Sequence, residues 1–353
     1  MEASTATIRR PRRVRGDLSQ EVAKYVLIGL LLLMPVAFGI HDLANDGNLS
    51  RLATNIKDGL SNGAILALIA IGYTLVYGII ELINFAHGDV FMIGTFVSLG
   101  LFGTLGLAPG GAALGLFFGM LLTLVLAMIA CGTLNTMIER VGYRPLRGAP
   151  KLAPLITAVG FSFILQNVGL LWIGGSHKSV PDLIGSQDEL FTVAGVTFSN
   201  GDLLAAVVTI PLVLGLTNFI SHSRAGRAMR ATAQDPEAAR LMGINVDTTI
   251  ALTFLLGGMM AGAAGIVYAL YQTDAWFFQG FQAGLLAFTA AVLGGIGNLW
   301  GAVLGGLIIG IIQQLSDNRI ETAWTPAIVF AYLVLILVFR PQGLLGERTR
   351  EAG

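Results

Sequence analysis

Four polar side chains, Glu81, Asn84, His87 and Asp89, crowd the segment IELINFAHGD at 80–89 and interrupt an otherwise nearly continuous apolar run from Gly59 to Leu107. Ionisable groups inside such a run are costly unless they face a bundle interior or a wet cavity. There, carboxylates and an imidazole suit a proton or cation site, and an amide suits the lining of a passage. A break in an apolar helix also frees backbone groups that lipid cannot satisfy, so the segment must be buried in protein or border water. The plainer reading is a tight interfacial turn, with Asn84 and Asp89 capping helix ends and His87 meeting headgroups.

A second polar concentration, SRAGRAMRATAQDPEAARLMG at 223–243, lies between two long apolar segments. Its composition predicts two short helices held at one membrane face. Arg224, Arg227 and Arg230 recur every three residues and so share one side of a helix. Asp235 is placed to cap the second helix, Pro236 stands at its first position and Gly243 falls just past its end. Arginines alone fit ordinary anchors to anionic headgroups. The well-formed helix start is not explained that way and points to a rigid docking surface for a soluble partner.

Other chemistries lack their motifs. No Gly-x-x-x-x-Gly-Lys-Ser/Thr loop occurs, so the chain does not hold ATP phosphates in that manner. No His-Glu-x-x-His or Gly-x-Ser-x-Gly is present, and His41, His87, His177 and His222 lie far apart. The lone Cys131 permits no intrachain disulfide. No regular arginine ladder or carbonyl-filter motif supports a voltage sensor or channel.

The elements that must carry these groups are membrane helices. Of 353 residues, 54% are hydrophobic and 12% charged, about half the charged share of soluble domains. Candidate spans fall at about 22–40, 59–80, 90–107, 113–138, 152–173, 203–220, 249–271, 284–297, 300–315 and 325–339. The eighth and ninth read either as two half-spans or as one hairpin. Placing the N-terminus inside and alternating ten spans collects Arg9, Arg10, Arg12, Arg13, Arg15 and Lys24 inside, with the basic residues of 140–151, of the 223–243 island and of the C-terminal end. Only Arg51, Lys57, Lys178 and Arg319 remain outside, as the positive-inside rule requires. The expectation is therefore an all-α polytopic membrane protein of about ten helices, some short or broken, with both termini cytoplasmic. Residues 1–20 read as a disordered cytosolic tail, 21–345 as one transmembrane domain and 346–353 as a second tail. Within the domain, 222–247 is the cytoplasmic loop and 174–202 the long external one, where 193–198 forms a short strand or surface helix. The apolar start is taken as a retained span rather than a cleaved signal peptide.

Glycine is abundant, at 46 residues. Gly111, Gly115 and Gly119, and likewise Gly297, Gly301 and Gly305, are spaced by four, with Gly258/Gly262 and Gly306/Gly310 alongside. Each series predicts a smooth ridge for close helix crossing, within one bundle or, for 297–310, between subunits.

Several of these segments resemble the membrane permease of branched-chain amino-acid ABC importers of the Liv type. They are NGAILALIAIGYTLVYGII at 62–80, INFAHGD at 83–89, SRAGRAMRA at 223–231, GIN at 243–245, FTAAVLGGIGN at 288–298 and RPQGLLG at 340–346. The likeness covers roughly 50–346. It implies a second homologous permease subunit, two cytosolic ATPase subunits that bind the ATP and Mg, and an extracytoplasmic substrate-binding protein. No cofactor is implied in this chain, no catalytic role, and no partner nucleic acid; membrane lipid surrounds it in a bacterial or archaeal plasma membrane. The family's coupling helix maps onto Glu237, Ala238 and Ala239 with Gly243 following, so Arg227, Arg230, Asp235, Glu237, Ala238, Ala239 and Gly243 are the expected ATPase-coupling residues. Only the Glu-Ala-Ala element and the later Gly match the broader importer pattern. Asn62, Asn84 and His87 are the expected polar lining of the substrate pathway. Two other readings stay open: an ABC permease for urea or short amides, and a stand-alone ion-coupled transporter using Glu81, His87 and Asp89.

Overall fold

The computed structural model describes residues 15–45, 47–150 and 152–346. In chain order the helices are α1 (Arg15–Asn45), α2 (Ser50–Ile80), α3 (His87–Thr104), α4 (Ala113–Ile138), α5 (Leu152–Ile173), α6 (Asn200–His222), α7 (Arg224–Gln234), α8 (Pro236–Leu241), α9 (Val246–Gln272), α10 (Gln279–Gly294), α11 (Leu299–Arg319) and α12 (Thr325–Phe339). Four short strands accompany them: β1 (Lys178–Ser179), β2 (Glu189–Val193), β3 (Val196–Ser199) and β4 (Asp274–Ala275). Among the described residues, seven helices are long and apolar enough to cross a bilayer: α2, α4 with the turns that prolong it to Leu146, α5, α6, α9, α11 and α12 with its preceding turn. α10 and the Leu31–Asn45 part of α1 are apolar but shorter.

Helix α2 is the axis of the bundle. From Ile65 to Val76 nearly every side chain is buried, polar and apolar alike, which is why its sequence is apolar all round rather than on one stripe. α9 is buried to a similar extent. α4, α5, α6 and α12 keep broad apolar faces exposed, among them Leu114, Phe117, Phe163, Leu171, Val207 and Val338, as helices facing lipid do.

Small residues let the central helices approach. A Cβ at Gly310 of α11 would stand 2.4 Å from the Gly63 Cα of α2, and one at Gly262 of α9 would stand 2.5 Å from the Ala127 carbonyl of α4. Neither space admits a side chain, so these glycines serve helix crossings.

The sequence expectations need several corrections. α1 starts at Arg15, inside the stretch expected to be a disordered tail, because no proline separates Arg15 from the apolar run; the rest of that tail and residues 347–353 lie outside the described residues. α2 starts at Ser50, well before the apolar onset near 59, because Lys57, Asp58 and Ser61 find ionic and hydrogen-bond partners within the protein. α3 starts at His87, so His87 and Asp89 occupy its first turn and the break between spans shrinks to residues 81–86. Of the two forms expected for 193–198 the strand is the one present: Val193 ends β2, Ala194 and Gly195 make the turn with φ of 52° and 80°, and β3 follows from Val196.

The 284–315 region is a hairpin of two antiparallel helices, α10 and α11, and Gly297 belongs to the turn between them with φ +94°. It therefore forms no ridge with the other two glycines. Gly301 packs on Gly294 and Gly305 on the Ala290 carbonyl, both on α10 of the same chain, so this face is used up internally. Gly111 likewise lies ahead of α4 and Gly115 meets open space.

The chain's last described residues strap this hairpin. Leu344 and Leu345 N–H groups donate to the Leu293 and Gly294 carbonyls at 2.8 and 2.9 Å, and Asn298 Nδ2 donates to the Leu345 carbonyl at 2.9 Å. Gly343 has φ +76° and a Cβ there would lie 2.5 Å from the Gly295 Cα. Both requirements select glycine. This explains why GGIGN and QGLLG, distant in sequence, are both glycine-bearing.

Candidate functional site

α7 and α8 form the expected pair of short helices. Ser223 Oγ accepts from the Gly226 N–H at 2.8 Å and starts α7 immediately after α6. A Cβ at Gly226 would stand 2.1 Å from the Ile220 carbonyl, so only glycine lets α7 fold back so tightly. The last carbonyls of a helix have no partner within it. Here guanidinium groups supply them: Arg230 donates to the Ile220 and Ser221 carbonyls and Arg227 to His222 at 3.3 Å. The two arginines expected to face a partner thus clamp α7 onto the end of α6, while Met229 and Thr232 are buried beneath.

α8 is capped as the sequence implies. Asp235 Oδ1 accepts from the Glu237 and Ala238 N–H groups at 2.9 and 3.0 Å. Ala239 turns inward, and Gly243 closes the helix with φ +84° while its N–H donates to the Arg240 carbonyl. Glu237, Ala238 and Arg240 are exposed. Beside them stand two residues the sequence reading passed over: Leu241, 89% exposed, and Met242, 83% exposed. Their signal was present, since two apolar residues in a charged loop directly precede a C-terminal glycine. A cavity of about 570 Å³ separates α8 from the end of α2 and is bordered by Glu81, Tyr143, Arg147, Asp235, Glu237 and Arg240.

The polar break is knotted into the interior. Asn84 Nδ2 donates to Asn135 Oδ1 at 3.0 Å, Asn135 Nδ2 donates to the Phe254 carbonyl at 2.7 Å, and the Tyr143 hydroxyl reaches Asn84 Oδ1 and the Ile83 carbonyl at 3.2 Å. These bonds join the α2–α3 break to α4 and α9. His87 is fully buried against Gly72, its ring 4.9 Å from that of Tyr73. Asp89, also buried, accepts from the Ser162 hydroxyl of α5 at 2.5 Å. Asn84, expected to line a passage, is an interior tie in this conformation, and His87, expected beside it, is packed against α2 with neither ring nitrogen hydrogen-bonded among the described residues. The polar groups of a helix break in lipid are satisfied by neighbouring helices as readily as by water.

Asn62 differs. Its side chain donates to Gln314 Oε1 and accepts from Gln272 Nε2, both at 2.9 Å. It borders a cavity of about 230 Å³ in which Gln272, Gln279, Gln282 and Gln313 also appear.

On the opposite side of α2, a long groove runs between α2, α6 and α11. Its first part, about 440 Å³, is walled by Leu60, Ala64, Leu203, Ala206, Val303 and Leu307, among other apolar residues. The β2–β3 hairpin contributes Phe191 and Phe198, whose rings stack 4.9 Å apart. Lys57 stands there, bonded to Asp202 at 2.7 Å and Asp58 at 2.6 Å. The second part, about 750 Å³, shares Trp300 with the first and ends on Met229, Arg230 and Gln234 of α7. One wall of the groove, α6, is therefore the helix onto which α7 is clamped.

The chain matches the family described as "Branched-chain amino acid transport system / permease component" over residues 55–338. It is 42% identical to the high-affinity branched-chain amino acid transport system permease protein BraD of Pseudomonas aeruginosa over 297 residues, 83% of this chain and 95% of that protein. Identity is also 42% to the permease protein LivH of Escherichia coli, over 82% of this chain and 94% of that protein. A probable branched-chain amino acid transport permease protein LivH of Methanocaldococcus jannaschii is 28% identical over 80% of this chain and 89% of its own length.

Proposed function

Since the chain belongs to the branched-chain amino acid transport system permease family, we propose that it is the membrane-spanning subunit of an ATP-driven importer for leucine-, isoleucine- or valine-like amino acids. It is a multi-pass protein of the plasma membrane, and the proposal gives it ten spans with both termini cytoplasmic. A second permease pairs with it, an extracytoplasmic binding protein delivers the cargo, and two ATPase subunits holding ATP and Mg supply the work. The observation that carries the coupling part is the exposed Leu241–Met242 tip of a doubly capped helix. Two large apolar side chains held in water cost free energy that a docked partner recovers.

Mechanically, α8 with Asp235, Glu237, Ala238 and Ala239 forms the docking element. α7, with its Arg227 and Arg230 clamps, is the rigid link that carries displacement to α6. Closure of the ATPases moves α6 against α2 and α11 and switches the groove between outward and inward openings. The second permease covers the open side of the groove. Asn62 and its glutamine neighbours form a separate polar cleft behind α2, and Asn84, through Asn135, holds the α2–α3 break against α4 and α9.

Reconstitution in proteoliposomes tests this. ATP-dependent leucine uptake that requires both ATPase and binding protein is the expected result, with leucine and valine competing and urea not. Uptake by this subunit alone, driven by an ion gradient, would overturn it.

A further inference from the structure

We infer that the hairpin end of the α2–α6–α11 groove is an acceptor site for a zwitterionic aliphatic amino acid, with Lys57 and Asp58 taking its head group and the groove wall taking its side chain. The inference rests on the importer reading and names where the cargo first meets this subunit.

Charge is the first observation. The groove is almost wholly apolar along its first part; apart from Thr209 its polar groups gather at Lys57, Ser61, Ser199 and Asp202, and Asp58 stands at its edge, 2.6 Å from the Lys57 ammonium. A buried ion pair needs one cation and one anion. Here Lys57 lies between two carboxylates, Asp58 and Asp202, so the cluster carries an excess negative charge. The two carboxylates are not equivalent. Asp202 is saturated: Ser61 Oγ donates to Oδ1 at 2.7 Å, while Oδ2 accepts from Lys57, from the Ser199 N–H and from Ser199 Oγ. It is a fixed anchor that orients the lysine. Asp58 meets Lys57 through Oδ1 and its side chain is 25% exposed. An ammonium carries three N–H donors, and the two carboxylates occupy two of those of Lys57. A bound amino acid then places its carboxylate on the remaining Lys57 donor and its ammonium on Asp58.

Shape is the second observation. Leu60 and Ala64 follow Lys57 down one face of α2, and Ala206 and Ile210 follow Asp202 at four-residue steps on α6. The paired alanines hollow the groove directly beneath the charges, where the side chain of a head-group-bound ligand must lie. A lipid chain filling the same groove makes no use of a paired lysine and carboxylate. An amino acid uses both ends.

The experiment employs the whole permease–ATPase complex in nanodiscs without binding protein and measures radiolabelled leucine binding. Saturable binding is expected. Asp58→Asn should weaken it roughly tenfold or more, the scale of one hydrogen bond to a charged group, and Ala64→Phe should abolish it. Because of the excess negative charge, 3-methylbutylamine, which lacks the carboxylate, should compete better than 4-methylpentanoate, which lacks the ammonium. Both variants keep the Lys57–Asp202 bridge; Lys57→Met, which strands the buried Asp202 and the half-buried Asp58, is avoided because it threatens folding. Equal leucine affinity in wild type and both variants overturns the acceptor site. So does a wild-type complex that binds no leucine directly yet imports it with its binding protein, and in that case the importer reading survives. A complex that imports no leucine even with its binding protein refutes the importer reading itself.

Discussion

Leu241 and Met242 allow the docking reading to be tested with little disturbance to the permease. Both are almost fully exposed in the isolated chain, so replacing both with alanine should change its own stability by no more than about 0.5 kcal/mol. Burial of a large apolar side chain is worth roughly 1.5–3 kcal/mol. Alanine retains part of that, so the double substitution should remove about 2–4 kcal/mol of association energy. At 1.4 kcal/mol per decade this is about thirty- to several-hundred-fold in Kd. The assay is titration of the purified ATPase partner onto the permease in nanodiscs, read by fluorescence anisotropy, with substrate-stimulated ATP hydrolysis followed in parallel. A double variant whose Kd stays within twofold of wild type would refute the reasoning, since it would mean these side chains remain in water in the assembly.

Three further outcomes follow from the geometry. Arg227→Ala with Arg230→Ala removes the clamp on the α6 carbonyls but leaves α8 intact, so ATPase binding should persist while uptake per ATP hydrolysed falls; unchanged coupling in a combined phosphate-release and uptake assay would count against α7 as the link. Asp42 and Arg319 form a buried bidentate pair at 2.6 Å joining α1 to α11, so Asp42→Ala should cost about 3–5 kcal/mol and lower Tm in a thermal-shift assay, whereas joint replacement by Asp42→Leu and Arg319→Met should recover most of it. Asn84→Ala leaves Asn135 Oδ1 without its donor in the interior and should cost about 1–3 kcal/mol, seen as lower Tm in the same assay, with leucine affinity at the α2–α6–α11 groove unaltered.

How much was legible in the sequence depended on how local each signal was. The DPEAA start and the glycine at 243 describe one short helix completely, because capping bonds reach only two or three residues along the chain. The positions of the apolar segments were legible because hydrocarbon thickness sets a length that composition must meet. Helix starts were misplaced wherever a polar residue found a distant partner: Lys57 pairs with Asp202 and Asp89 with Ser162, so helices begin inside stretches that look like loops. Glycine spacing misled for the same kind of reason. Gly297, Gly301 and Gly305 share a four-residue period, yet one sits in a turn with φ +94° and two meet a neighbouring helix.

The amino-acid sequence by itself determined that this is a membrane protein with a capped helical loop among its basic residues and no Gly-x-x-x-x-Gly-Lys-Ser/Thr motif, together with the family it resembles. Which polar groups face one another was decided only by tertiary structure. Asn84 meets Asn135, Arg230 turns back on Ile220, and Lys57 finds Asp202 at the end of an apolar groove. The physical reason is that helix formation in lipid satisfies the backbone within each segment, whereas a side chain in the bilayer must find its partner on whichever helix packing brings within reach.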